Sequence, residues 1–183
     1  MRAESVATGA EPPAQTGPPV ADVFDTLYRS HTLGLVRLAL LLVGDRTTAE
    51  DVVQDAFLGL YRGWSRVRDQ DKALGYLRTS VVNGCRSVQR ARRAAWRRAQ
   101  RHQQHEPPVW SAEAAALAGE DRREVLTAVA RLPRRQREVL ALRYYAELGD
   151  AEIASVLGVS RGTVSSTASR ALAVLARELG APR

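Results

Sequence analysis

Residues 150–172 read DAEIASVLGVSRGTVSSTASRAL, and the spacing within this stretch decides the fold. A helix-turn-helix needs a small residue where two helices cross, a turn residue free to become left-handed, and an apolar residue that clamps the second helix onto the first. Ala154 supplies the first, Gly158 four residues later the second, and Val164 six after that the third. Ile153, Leu157 and Val159 support them. Ser160 is placed to cap the second helix, and Val164, Ala168, Ala171, Leu172, Leu175 and Leu179 trace its buried face. Ser160, Arg161, Thr163, Ser165, Ser166, Ser169 and Arg170 are left as an outward hydrogen-bonding set of a kind that reads base edges in a major groove.

Upstream, apolar periodicity at Val125, Leu126 and Val129 stops at Leu132-Pro133 and resumes at Val139, Leu140 and Leu142, with Pro133 suited to open a new helix. The segment 96–120 holds Pro107, Pro108, Gly119 and an alanine run, which predicts a flexible linker with one short helix at most. Before it, Phe24, Leu27, Tyr28, His31, Leu35, Leu38 and Leu42 follow helical spacing, with Gly34 as a candidate break and Gly44 as the stop. A second helix is expected from Thr48, where Thr48-Ala49-Glu50-Asp51 resembles a capping box, with Val53, Ala56, Phe57, Leu60 and Trp64 on one face. A third runs from about Lys72 through Tyr76, Leu77, Val81 and Val88. Residues 1–21, with Pro12, Pro13, Pro18 and Pro19 and no apolar period, read as a disordered leader.

Composition bounds these elements. A hydrophobic fraction of 45% supports packed cores in 183 residues, while 5% aromatic content with abundant Ala, Leu and Arg favours helices over sheets. The expected class is all-α: two small helical domains, 22–95 and 121–179, joined by the flexible linker, the C-terminal one carrying the helix-turn-helix. The single cysteine, Cys85, allows no internal disulfide and fits a reducing compartment. The longest apolar run, Leu38–Val43, is far below a membrane span of roughly 20 residues. Cytoplasmic residence without membrane insertion is therefore expected. His102 and His105 beside Cys85 lack the fourth ligand of a metal site, and no nucleophile–base pair or phosphate loop is evident. No catalytic residue, metal or cofactor is expected.

The net charge is +7, and Lys72 is the only lysine. Guanidinium forks suit phosphates and base edges. Residues 86–101, RSVQRARRAAWRRAQR, place seven arginines in sixteen residues without one acid, the pattern of a phosphate-gripping extension beyond Tyr76, Arg78 and Asn83.

Together these segments resemble the extracytoplasmic-function group of bacterial RNA polymerase sigma factors, within the sigma-70 family, from about Phe24 to Leu179. AEDVVQDAFLGLYRGW, residues 49–64, is similar to the family's helix that binds the β′ clamp helices of core polymerase. LPRRQREVLALRYYAELGDAEIASVLGVSRGTVSSTASRAL, residues 132–172, is similar to its −35 reading domain. The resemblance implies core RNA polymerase (β′ clamp helices and β flap), promoter DNA and an anti-sigma factor as partners. It implies polymerase contacts at Asp51, Gln54, Asp55 and Leu58. It places −10 contacts at Arg66, Arg68, Tyr76, Arg78, Asn83, Arg86 and Arg90, where unstacked bases need polar edges and aromatic planes. The chain departs from the family at Ser87, where an aspartate is frequent, and at Ser165 and Thr167, where basic residues are frequent. At Gly149 it lacks the frequent capping serine, and Asp150 is expected to substitute as cap. The alternative is a freestanding helix-turn-helix regulator that dimerises on a palindromic operator. The outward Gln54-Asp55 pair, and a single helix-turn-helix with no evident dimerisation helix, separate the two.

Overall fold

A computed structural model describes residues 20–64, 72–100 and 120–180, and every regular element among them is helical. In chain order these are α1 (Val20–Val43), α2 (Arg46–Arg62), α3 (Ala73–Gln100), α4 (Glu120–Arg131), α5 (Arg134–Leu140), a π-helical segment (Ala141–Tyr145), α6 (Asp150–Leu157) and α7 (Arg161–Glu178). Most of residues 1–21, of 96–120, and the whole Arg66–Asp71 stretch lie outside the described residues.

The first three helices pack up-down-up, α2 returning along α1 and α3 running in the same direction as α1. Helix α1 runs unbroken through Gly34, because a turn so well supplied with Leu on its inner face tolerates one glycine. Gly44, at φ +84°, then reverses the chain, its N–H donating to the Leu40 carbonyl at 2.9 Å. Helix α2 starts two residues ahead of the expected Thr48 box: Asp45 is the cap, its carboxylate accepting from the Thr48 N–H at 2.9 Å. The expected domain edge at residue 95 falls inside α3, since arginine and alanine are strong helix formers and carry the helix to Gln100. Gly84 lets α2 and α3 approach closely, because a Cβ there would lie 2.8 Å from Val52 Cγ1.

The second set is a four-helix arrangement built on α7. Val164, Ala168 and Ala171 are buried, as the apolar series predicted, but Leu172 is 42% exposed. It sits one position past the buried stripe, and Thr167, 4% exposed, lies on the inner face in its stead.

Buried residues of both sets join in one cluster. Leu35, Leu38, Val81 and Cys85 from the first set are continuous with Val139, Leu142, Ile153 and Val156 from the second. Helices α1 and α3 thus form a floor on which α5, the π-helical segment and α6 rest.

Candidate nucleic-acid interface

The helix-turn-helix has the geometry its spacing demands. Gly158 adopts φ +65°, ψ +45° after α6, the left-handed conformation that a side chain would strain. Ala154 and Ile153 are buried at the crossing, and Val164 is fully buried as the clamp. Ser160 caps α7, its Oγ accepting from the Thr163 N–H at 3.1 Å. The start of α6 differs from expectation. Gly149 occupies the cap position and Glu152 reaches back to accept from its N–H at 2.9 Å, while Asp150 is already helical and pairs with Arg143.

Ser160, Arg161, Thr163, Ser165, Ser166, Ser169 and Arg170 are all exposed along one side of this unit. Where they make hydrogen bonds, these stay within the cap and helix. Ser166 Oγ donates to the Thr163 carbonyl, Ser169 Oγ to the Ser165 carbonyl, and Arg170 Nε to the Ser166 carbonyl. Such local bonds exchange readily for a base edge or phosphate, so the face is polar and uncommitted.

Helix α3 behaves differently. Tyr76, Asn83 and Arg90 are exposed and recur every seven residues, which keeps them near one side of the helix. The Tyr76 hydroxyl lies over Gly59 of α2, 3.7 Å from where a Cβ would stand. Arg90 reaches Ser87 Oγ at 3.1 Å, so the serine at the departed aspartate position still accepts from this helix. Arg78 is half-buried in a cleft of about 160 Å³ whose walls include His31, Tyr145 and Glu147. Arg66 and Arg68 lie outside the described residues.

Two arginines of the basic run turn inward. Arg92 donates to the Val43 carbonyl at 2.9 Å, to Asp45 at 2.5 Å and to Thr48 Oγ1 at 2.8 Å, tying the end of α1 to the start of α2. Burial pushes the Asp45 carboxyl up, but the hydrogen bonds from Thr48 and Arg92 outweigh it and hold it below the usual carboxylate range. Gln89 and Arg137 both donate to the Leu42 carbonyl, so side chains from two other helices satisfy the orphan end of α1. The basic run predicts a phosphate-gripping role for Arg92 and none for Gln89; their inward bonds carry no local signal because the partners lie more than forty positions away.

Arg86 makes the second inward turn. Its Nε and Nη2 each lie 2.8 Å from an oxygen of Glu138, a bidentate pair between α3 and α5. Glu138 is 2% exposed, with Arg134 and Arg135 of its own helix at 3.5 and 3.4 Å. The hydrogen bonds to Glu138 raise the Arg86 guanidinium above its ordinary value. Burial, with the Glu138 charge added, pushes the nearby Cys85 thiol up to about 12. Burial and then the charge of Arg93 lower Arg137.

On α2, Asp51, Gln54, Asp55 and Leu58 form an exposed face, with Leu58 43% exposed, opposite buried Val53, Phe57 and Leu60. Tyr61, 59% exposed, extends this face toward Phe24, whose ring meets it edge-on at 5.3 Å between centroids. The expected stripe of Val53, Ala56, Phe57, Leu60 and Trp64 leaves Tyr61 out, but no motif assigns it to the outward face.

The Sigma-70 region 2 family model matches residues 27–103 and the Sigma-70 region 4 model residues 122–175. The chain is 32% identical over 159 residues to the RNA polymerase sigma-E factor of Streptomyces coelicolor, covering 85% of each protein. It is 35% identical over 163 residues to the ECF RNA polymerase sigma factor SigM of Mycobacterium tuberculosis, covering 86% of this chain and 77% of SigM. Among solved structures, it is similar to the sigma factor RpoE bound to the anti-sigma factor NepR from Bartonella quintana. That match has a TM-score of 0.73 and 22% identity, over 90% of this chain and 100% of RpoE. It is also similar to CnrH bound to the cytosolic domain of CnrY, with a TM-score of 0.64 and 26% identity over 87% and 89% of the two chains.

Proposed function

The chain belongs to the sigma-70 family of RNA polymerase sigma factors, which direct promoter-specific transcription initiation, and from that premise we propose how its parts divide the work. Residues 22–95 grip core polymerase and open the −10 element, residues 121–179 read the −35 duplex, and residues 96–120 link them. The chain works in the cytoplasm as a non-enzymatic specificity subunit.

The carrying observation is the pair of outward faces. Residues 160–170 of the helix-turn-helix leave a row of donors and acceptors exposed over a fully buried clamp at Val164. The α2 face of Asp51, Gln54, Asp55 and Leu58 is equally free of core duties. The first suits base edges and phosphates of the major groove. The second, acidic and polar with one apolar contact, suits the basic and polar coiled coil of the β′ clamp helices, and α7 or its neighbours would meet the β flap. Tyr76, Asn83 and Arg90 on α3 suit unstacked bases and backbone of the −10 strand, and Arg66 and Arg68, which precede that helix in the sequence, would join them. An anti-sigma factor, of the kind named with RpoE, would act by covering these faces.

Each half alone has a small footprint, so specificity arises when core polymerase holds both at a fixed spacing. The test is run-off transcription of genomic fragments by core polymerase with and without this protein. New start sites appear under this reading, whereas tight sequence-specific binding of duplex by a free dimer, without new starts, would contradict it.

A further inference from the structure

The contact between the two helical sets holds a buried carboxylate against an arginine that the family resemblance gives to the −10 surface. Glu138 is 2% exposed and holds Arg86 through two parallel hydrogen bonds of 2.8 Å, the fork geometry in which arginine also holds a phosphate. Arg86 in turn reaches Asn83 Oδ1 at 3.3 Å, so the clasp ties up two neighbouring members of the −10 surface. We propose that Glu138 acts as an internal phosphate mimic: it clasps Arg86, shuts the helix-turn-helix set against α1 and α3, and withholds Arg86 from single-stranded DNA until the chain opens. This inference rests on the assignment of Arg86 to the −10 surface.

Two features make the clasp releasable rather than permanent. Arg134 and Arg135 stand beside Glu138 on α5 itself, so the carboxylate keeps cationic neighbours when Arg86 leaves. The charge of Arg93 on α3 lowers Arg137 of α5, a like-charge repulsion across the same contact that offsets part of the hold Arg137 has on the Leu42 carbonyl of α1. Removing either partner breaks the two hydrogen bonds that join α3 to α5, so replacing either residue shifts the balance toward the open chain. A phosphate that competes for Arg86 has the same effect, because a ligand that binds only the open form draws the population to it.

The experiment uses the full chain, its Glu138→Gln and Arg86→Gln variants, and a fluorescein-labelled single-stranded oligonucleotide of mixed sequence. Mixed sequence is chosen because a phosphate contact carries no sequence information. Small-angle scattering reads opening and fluorescence anisotropy reads affinity, with circular dichroism as the check on folding. Both variants expand, but only Glu138→Gln, which frees Arg86, gains affinity, by about tenfold if the parent is roughly nine-tenths closed. The unsubstituted chain expands when saturated with the same oligonucleotide, a readout that needs no variant to fold. A folded Glu138→Gln chain as compact as the parent, or a parent whose dimensions ignore the oligonucleotide, overturns the clasp. Expansion of both variants with no gain for Glu138→Gln overturns the withholding of Arg86 and, with it, the place of Arg86 on the −10 surface.

Discussion

Helices α3 and α7 are both rich in polar and basic side chains, yet they use them in opposite ways. On α7 the hydroxyls and Arg170 bond to no more than their own helix backbone and cap, and Arg161 stands exposed. On α3, Arg86 and Arg92 cross to α5 and to the α1–α2 turn, where they meet Glu138, Asp45 and the last carbonyl of α1. Arg90, Arg93, Arg97 and Arg98 remain exposed. A cluster of like charges in a sequence therefore states a supply of guanidinium groups, not their destination. The destination depends on which faces of the helix other elements cover, and those elements come from far along the chain.

The largest effect should come from the anchor of α7. Val164 is fully buried, so Val164→Asp places an unpaired charge beneath the recognition face and should destabilise the second helical set by about 4 kcal/mol or more. Loss of helical signal and of promoter binding together, in thermal melts and occupancy assays, would mark it. The anchor of α3 is next. Gly84→Leu drives side-chain atoms into Val52, already 2.8 Å from a would-be Cβ, and overpacking of this kind costs about 2 kcal/mol. Denaturant midpoints compare it directly with the parent.

Arg92→Ala should cost about 1.5 kcal/mol, as expected for losing hydrogen bonds to a charged partner, although the side chain is exposed enough for water to take up part of the loss. Its pH signature is specific. Asp45 is depressed in the folded chain, so its contribution is present above the unfolded carboxylate pKa and is lost as pH falls through the folded value. Stability of the parent should thus decline in that acid window, and Arg92→Ala should decline less steeply in urea titrations across it. The smallest stability effect belongs to α7's own arginines. Arg161→Ala and Arg170→Ala should each stay within about 0.5 kcal/mol of the parent in melting. Each should nonetheless weaken −35 binding by about 1 to 3 kcal/mol where the lost contact is to a base edge. A melt that falls as far for Arg170→Ala as for Arg92→Ala would erase the difference between the two helices.

The same contrast explains what could be read from the residues alone. The helix-turn-helix was legible because its constraints are steric and close in sequence: Ala154, Gly158 and Val164 answer one another within a single supersecondary unit. Helix existence and the outward faces of α2 and α7 followed from periodicity. Ends were less legible. Asp45 took the cap from Thr48, and Gly149 with Glu152 took it from Asp150, because several polar residues beside a helix start compete and packing chooses among them. Leu172, expected on the buried face of α7, is exposed and Thr167 is buried, a rotation that depends on which neighbour the helix rests against. Glu138 had no local signal at all. It stands among arginines of its own helix like any solvated acid, and only a partner 52 positions away makes it a buried centre.

The account rests on a division between residues that hold the fold and residues that hold partners, and Asp55 tests it most directly. Asp55 is exposed on α2 opposite the core stripe, and reversing its charge should oppose binding to a basic coiled coil without disturbing packing. Circular dichroism melts and core-polymerase affinity should be measured side by side for Asp55→Arg. The account predicts an unchanged melt and affinity for core reduced at least tenfold, about 1.4 kcal/mol. A folded Asp55→Arg chain that binds core polymerase as tightly as the parent would contradict it.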